Sequence, residues 1–257
     1  LILLLAALIP LSSAADSGLP FMKDLAGDRD LPRPWGIGFD FYTMDQDYDI
    51  ESLSFELPGV SVGDPSEIDV TNEVRHYDLK ADAWILPFLN VFGLVGRVNI
   101  DTRVDFSTAD IQGLPPGVDL GTLPVSFNGT VWGGGFTLAY GTDRWFTSVT
   151  TVWTKTSTSG DLDSKVTSTE VQPRIGLLRS GWRFRVGGMY LDPDEKHSGV
   201  FPLPFIGDVP FEVELKTQDN WNYSVGVGYQ LSDRANLSLE AGFGDRQHSL
   251  FNFNVRF

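Results

Sequence analysis

Along most of the chain apolar and polar residues alternate with a period of two, the spacing of a strand whose two faces meet different surroundings. Trp35, Ile37, Phe39 and Phe41 alternate with Gly36, Gly38, Asp40 and Tyr42. Tyr77, Leu79, Ala81, Ala83 and Ile85 alternate with Asp78, Lys80, Asp82 and Trp84. Phe92, Leu94, Val98, Ile100 and Val104 read as one face of a strand, and Arg97, Asn99, Asp101 and Arg103 as the other. The chain ends with Phe251, Phe253, Val255 and Phe257 set against Asn252, Asn254 and Arg256. The pattern predicts about ten strands, at 35–43, 73–86, 91–105, 126–140, 145–156, 165–178, 182–191, 212–229, 235–244 and 248–257, with eight or twelve also compatible. Stripes of helical period are nearly absent.

The connections alternate in length. Those at 87–90, 141–144, 179–181 and 230–234 are short, and those at 44–72, 106–125 and 192–211 are long, with smaller ones at 157–164 and 245–247. Short turns at one end and long loops at the other predict an all-β fold, an antiparallel up-and-down transmembrane β-barrel.

Aromatic spacing sharpens this expectation. The pairs Trp132/Tyr140, Trp145/Trp153, Trp182/Tyr190 and Trp221/Tyr229 each lie eight positions apart on one strand face. Eight residues on a strand tilted about 40° cover roughly 20 Å of height, close to the roughly 25 Å apolar band of such barrels. Tyr140, Trp145, Trp182 and Tyr229 also abut short turns, so they form one girdle together with Trp35, Phe92 and Phe257. Trp132, Trp153, Tyr190 and Trp221 form the other. An apolar ring with a polar edge suits the headgroup boundary. A soluble β-sandwich gives no reason for rings at both ends of the same strands.

The amino terminus divides the chain further. Residues 1–15 read as a signal peptide: an apolar run from Leu1 to Leu11, too short to span a bilayer, then small residues suited to cleavage after Ala14 or Ala15. The run opens at Leu without a basic segment before it, which reads as a leader missing its first residues. Residues 16–34 are polar, contain Pro20, Pro32 and Pro34, and read as a periplasmic lead-in ahead of the barrel, 35–257.

Composition narrows the chemistry. A formal charge of −15 over 257 residues argues against nucleic acid as a partner, since phosphate binding needs clustered Lys and Arg. The lack of Cys excludes disulfides, Cys-ligated metal and Cys nucleophiles. No cofactor is expected.

With the leader, the girdle spacing and the terminal strand Phe251-Asn252-Phe253-Asn254-Val255-Arg256-Phe257, the chain resembles small bacterial outer-membrane β-barrel proteins. The resemblance covers nearly all of the mature chain. It implies residence in the outer membrane, with lipid and lipopolysaccharide as surroundings, and reading of the final Phe257 by the barrel-assembly machinery. It implies no particular activity and no oligomeric state.

Alternation assigns the lumen. The expected inward charges are Asp40, Asp78, Asp82, Asp101, Glu170 and Glu240 against Lys80, Arg97, Arg103, Arg174, Arg183, Arg185 and Arg256. Isolated buried charges cost several kcal/mol, so this nearly neutral set is expected to pair across a narrow lumen. Gly133, Gly135, Gly187, Gly226 and Gly228 are expected to leave room along one wall for a solute or for the lead-in.

Other candidates are weaker. Asp45, Asp47, Asp49 and Glu56 resemble half of an EF-hand loop, although Ile50 stands where that loop needs Gly, and suggest weak divalent-cation binding. Apolar, Pro-rich patches at Leu57–Val60, Leu114–Val118 and Val200–Ile206 are expected to pack as a lid or to meet an apolar partner. The functional expectation is a narrow solute channel, or a loop-mediated binding or scaffold protein, without enzymatic activity. The alternative is an outer-leaflet protease or lipid hydrolase using His76, Asp78 and His197.

Overall fold

The structure, a computed structural model, describes residues 18–27, 29–56, 59–107, 109–113, 120–159, 163–203 and 207–257. The expected leader and the Leu114–Val118 patch lie outside the described residues. The strands are β1 (Trp35–Phe55), β2 (Ser61–Val62), β3 (Asp69–Leu86), β4 (Leu89–Asp105), β5 (Ile111–Gln112), β6 (Thr122–Gly141) and β7 (Trp145–Ser159). They continue with β8 (Asp163–Arg179), β9 (Trp182–Leu203), β10 (Gly207–Thr217), β11 (Trp221–Gln230), β12 (Ala235–Phe243) and β13 (Arg246–Arg256).

Ten of these, β1, β3, β4, β6, β7, β8, β9, β11, β12 and β13, pair antiparallel with their neighbours. The ring closes because β1 pairs with β3 on one side and β13 on the other, finished by Trp35 and Phe257 exchanging backbone hydrogen bonds of 3.3 and 3.0 Å. Closure leaves no free edge at this level, which is what a β-structure in lipid requires.

The outer face shows where the lipid lies. Ile37, Phe39, Leu79, Val95, Leu138, Val149, Ile175, Leu177, Phe184, Val186, Val225 and Leu239 are all exposed. Aromatic residues bound this band at two heights and touch within a height. Tyr140 meets Trp145 at 5.7 Å and Trp182 meets Tyr229 at 4.7 Å at the short-turn end, while Tyr190 meets Trp221 at 5.4 Å at the other. A continuous exposed apolar belt between two aromatic rings is a lipid-facing surface.

Past the second ring the wall continues as a tower. The segment 44–72 is expected to be a loop, yet β1 and β3 run on through it, paired from Met44↔Val74 to Tyr48↔Val70. Alternation persists there with its polarity reversed. Met44, Gln46, Tyr48 and Ile50 are buried inside, and Asp45 and Asp47 are exposed outside. The expected single strand 212–229 is two strands, broken at Gln218–Asn220, where Asp219 accepts the Trp221 N–H at 2.8 Å. β10 does not cross the lipid. It sits above the β12–β13 hairpin, pairing with β9 from Leu215↔Glu195 to Gly207↔Leu203 and with β1 from Tyr48↔Thr217 to Phe55↔Phe211. One strand thus replaces β11, β12 and β13, and a ten-stranded wall becomes an eight-stranded one.

The tower has an apolar core. Tyr48, Ile50, Ile68, Val70, Phe106 and Leu215 form one buried cluster, and Val98, Ile100, Phe127 and Val131 form another. Two loops close over the first. β2 pairs with β5, the Gly63 N–H donates to the Asp110 carbonyl at 2.8 Å, and Val62 and Ile111 pack on the cluster. Nearby, Asp64 accepts the Ser66 O–H and N–H, which hold its carboxyl below the ordinary carboxylate range.

At the opposite end the lead-in follows the short-turn rim. The Phe21 N–H donates to the Ile85 carbonyl at 2.9 Å and the Trp84 N–H to the Pro34 carbonyl at 2.8 Å. Arg29 donates to the Gly141 carbonyl at 3.2 Å and lies 4.9 Å from the Tyr140 ring.

Candidate lumen site

Inward positions follow from strand register, since residues directly paired across strands share a face. Of the expected lumen charges, Asp40, Asp78, Lys80, Asp82, Glu170, Arg174, Arg183, Arg185, Glu240 and Arg256 fall on the inward face. Arg97, Asp101 and Arg103 do not. Arg97 pairs with Tyr77, which is 43% exposed, while Asp101 pairs with Glu73 and Arg103 with Thr71, all on the outer face. Phe92 is likewise no girdle residue, because it pairs with the buried Asp82 and lies 5.4 Å from the Lys80 ammonium. The cause is the polarity reversal. On β4 the buried Val98 and Ile100 serve the tower core, so the apolar face of the strand is its inner one. The remaining girdle residues lie on the outer face, Trp35, Trp132, Trp145, Trp153 and Trp221 between 37% and 54% exposed.

The inward charges form a lattice. Glu240 joins Arg174 at 2.8 Å and Arg185 at 2.7 Å, with its own side chain 1% exposed. Lys80 meets Asp40 at 3.2 Å, and Asn252 donates to the same carboxylate. Asp82 is held by Arg256 and by Asn90 at 2.6 Å, and Arg183 donates to Gln230. Each of these three carboxylates, Glu240, Asp40 and Asp82, therefore accepts more than one bond, which offsets the desolvation of a buried ion.

The expected glycine path is filled. Inward glycines stand directly opposite large inward side chains: Gly135 opposite Phe92, Gly187 opposite Arg174, Gly226 opposite Arg185 and Gly242 opposite His248. A methyl group at Gly226 would come within 2.7 Å of the Arg185 Nε, and one at Gly187 within 2.9 Å of the Arg174 Cγ. Gly133 is crowded too, by the backbone of Trp153 and Thr154, and Gly228 has Ser238 Cβ at 3.3 Å. The glycines let long side chains lie flat across the wall. Gly242→Ala would drive a methyl into the His248 ring. It is expected to cost about 1–3 kcal/mol as an overpacking change, read as a lower urea midpoint for unfolding.

Just below the tower, where ten strands become eight, lies a group that strand-by-strand reading misses. Arg246 is 1% exposed and donates to Gln46 Oε1 at 3.3 Å and to the Met189 carbonyl at 3.4 Å. Asn222, fully buried, bonds His248 at 3.0 Å, and the Tyr42 ring lies 5.5 Å from the His248 ring. With the strand expected to begin at 248, Arg246 falls in a turn. The alternation Arg246, His248, Leu250, Asn252 was the available signal.

The other candidates separate. His76 and Asp78 meet at 3.6 Å on the inward face of β3. His197 lies in the tower, its Nδ1 2.7 Å from Ser164 Oγ and its Nε2 3.4 Å from Glu195, which also accepts the Tyr48 hydroxyl at 3.1 Å. Ser164, His197 and Glu195 are 3%, 5% and 7% exposed, and the Phe127 ring is 5.4 Å from the imidazole. So placed, the trio ties β8, β9 and β1 together inside an apolar core. Asp45, Asp47 and Asp49 point outward along an extended strand, roughly 7 Å apart at each step, which is too far to share one ion. Asp47 accepts Thr71 at 3.1 Å and Asp49 accepts Gln218 at 2.9 Å, and Glu56 is exposed beyond the end of β1. No group of acids or histidines able to hold a metal occurs among the described residues.

A closed β-wall carrying an apolar belt between aromatic girdles is the architecture of bacterial outer-membrane proteins, and the chain is an integral barrel of that membrane. No family model matches the sequence, and no curated protein matches it. Among solved structures the chain is similar to the outer membrane protein OprG from Pseudomonas aeruginosa, at 10% identity and a TM-score of 0.49 over 89% of this chain and 100% of that one. It is similar to an outer membrane channel from Pseudomonas putida F1, at 13% identity and a TM-score of 0.38 over 90% and 98%. It is also similar to the β domain of the Bordetella autotransporter BrkA, at 15% identity and a TM-score of 0.37 over 88% and 100%.

Proposed function

We propose that the protein is a narrow outer-membrane channel for small polar solutes, held shut at its outer end by the apolar core of the tower. One observation carries this reading: a polar, nearly charge-balanced lumen runs through the lipid-facing part of the barrel and gives way to a largely apolar filling in the tower. Five inward acids (Asp40, Asp78, Asp82, Glu170, Glu240) face six inward bases (Lys80, Arg174, Arg183, Arg185, Arg246, Arg256). A barrel that only needed filling would be served at lower cost by apolar side chains, because replacing buried ion pairs with packed hydrocarbon is often neutral or stabilising.

The test is planar-bilayer recording on the full chain. Rare discrete steps are expected, far smaller than those of barrels of about sixteen strands. Silence in the native protein and equally in variants that loosen the tower core would end the channel reading and leave the tower as a binding surface.

A second reading is carried by the Ser164–His197–Glu195 chain, whose residue types are those of nucleophilic acyl transfer. Ester or peptide turnover by the native protein that vanishes in both Ser164→Ala and His197→Ala would put a hydrolase in place of the channel.

A further inference from the structure

Buried polar atoms without partners are rare, and each asks for an explanation such as an occupant not yet seen. In this barrel several of them gather near the base of the tower. Arg246 Nε, Gln46 Nε2, Asn72 Oδ1 and Glu170 Oε1 are all buried and unpartnered. Register places three of them side by side, since Gln46 pairs with Asn72 on β3 and with Arg246 on β13. Met189 marks the other side of the same level: its carbonyl accepts from Arg246, and Glu170 pairs with Leu191 two residues further along β9. Glu170 lies in the electrostatic field of Arg174 and, next in strength, of Arg246.

The charges here are complementary yet separate. Among the described residues the Arg246 guanidinium has only neutral acceptors, Gln46 Oε1 and the Met189 and Asn220 carbonyls. Among the described residues no Lys, Arg or His nitrogen lies within ion-pair distance of Glu170, in contrast to Glu240, Asp40 and Asp82. A free cationic N–H beside a free amide N–H makes a clamp for a carboxylate. The unpartnered carboxylate oxygen of Glu170, on the inward face of β8, makes a seat for an ammonium group.

We infer that this cluster of unpartnered groups binds a small zwitterion of the α-amino-acid class, its carboxylate held by Arg246 Nε and Gln46 Nε2 and its ammonium group by Glu170. The site deepens the channel reading and rests on it for the route by which the solute arrives. Single ions are poorer occupants, because an anion alone would leave Glu170 unpaired and a cation alone would leave Arg246 Nε unpaired. The tower above is largely apolar, and its buried Ser164, His197 and Glu195 already bond one another, so this cluster is the last set of unpartnered polar groups before it.

The experiment is saturation-transfer NMR on the full chain in lipid nanodiscs, with glycine, acetate and methylammonium as separate probes and bilayer recording in parallel. Saturable glycine binding is expected, at least about tenfold tighter than either single ion, since each loses one charge-assisted contact. Glu170→Gln, which keeps shape and removes charge, is expected to weaken glycine about tenfold or more, with folding confirmed by heat-dependent gel mobility. Arg246→Lys serves as a second variant and is expected to weaken glycine while keeping a cation at the shoulder. Acetate or methylammonium binding as tightly as glycine, unchanged glycine binding in Glu170→Gln, or no glycine binding by the native chain would each overturn the inference. Binding without conductance would remove the channel reading and leave the site. Conductance without binding would do the reverse.

Discussion

Glu240→Ala is expected to destabilise the assembled barrel by roughly 3–5 kcal/mol, the cost typical of breaking a buried charge pair from one side. The substitution leaves the Arg174 and Arg185 guanidiniums, whose side chains are 11% and 14% exposed, facing one another with no carboxylate between them. Both would repel, and both would lose charge-assisted bonds of 2.7–2.9 Å. The measurement is the urea concentration at which gel mobility shifts from folded to unfolded. A contrast comes from Glu214→Ala in the tower wall, where the Lys196–Glu214 pair is 54% and 36% exposed and should matter by less than about 1 kcal/mol. If Glu240→Ala costs no more than that, water already solvates the two arginines, and the lattice stands in a wet lumen.

Truncating the tower core should have the second large effect, and it links stability to transport. Phe127→Ala removes a ring 8% exposed that packs with Val98, Ile100 and Val131 and lies against His197. Large-to-small changes of this kind cost about 3–5 kcal/mol, part of it for the space left behind. In the channel reading that space opens the barrier between the polar lumen and the outside. Bilayer recordings of Phe127→Ala should therefore show more frequent and longer openings than the native chain. A variant that loses stability yet stays as silent as the native protein would show that the tower core does not gate the path.

How much of this was legible in the sequence depended on where a strand lay. Within the lipid the rule that outward residues are apolar held, and the pairs Trp182/Tyr190 and Trp221/Tyr229 marked both boundaries because lipid imposes two fixed heights on every strand. Outside the lipid the same alternation carries the opposite meaning. One strand taken alone does not show where it leaves the membrane, so the alternation of β4 points Phe92 outward and Arg97, Asp101 and Arg103 inward, the reverse of their observed faces. The polarity of β1 contains the clue, since Asp45 and Asp47 continue the face begun by Phe39 and Phe41, and no lipid would accept them. β10 is hidden for a different reason: after the polar run Thr217–Asn220 the period of two resumes in phase at Trp221, and only its partners on β1 and β9 show that it belongs to another level. The opposed glycines were visible one by one, but their role depends on cross-strand register, which a single strand does not encode.

The two mates of β1 have a consequence for biogenesis. Its first half pairs with β13 and its second half with β10, so the earliest strand waits for partners made near the end of synthesis. Until then it presents a long row of unsatisfied backbone groups, a template for adhesion to other chains. Contacts between such distant parts of a polypeptide form slowly. Ring closure is therefore the natural bottleneck on the way to the native state, and a chain terminated ahead of Arg246 would lack the strand that seals the first half of β1.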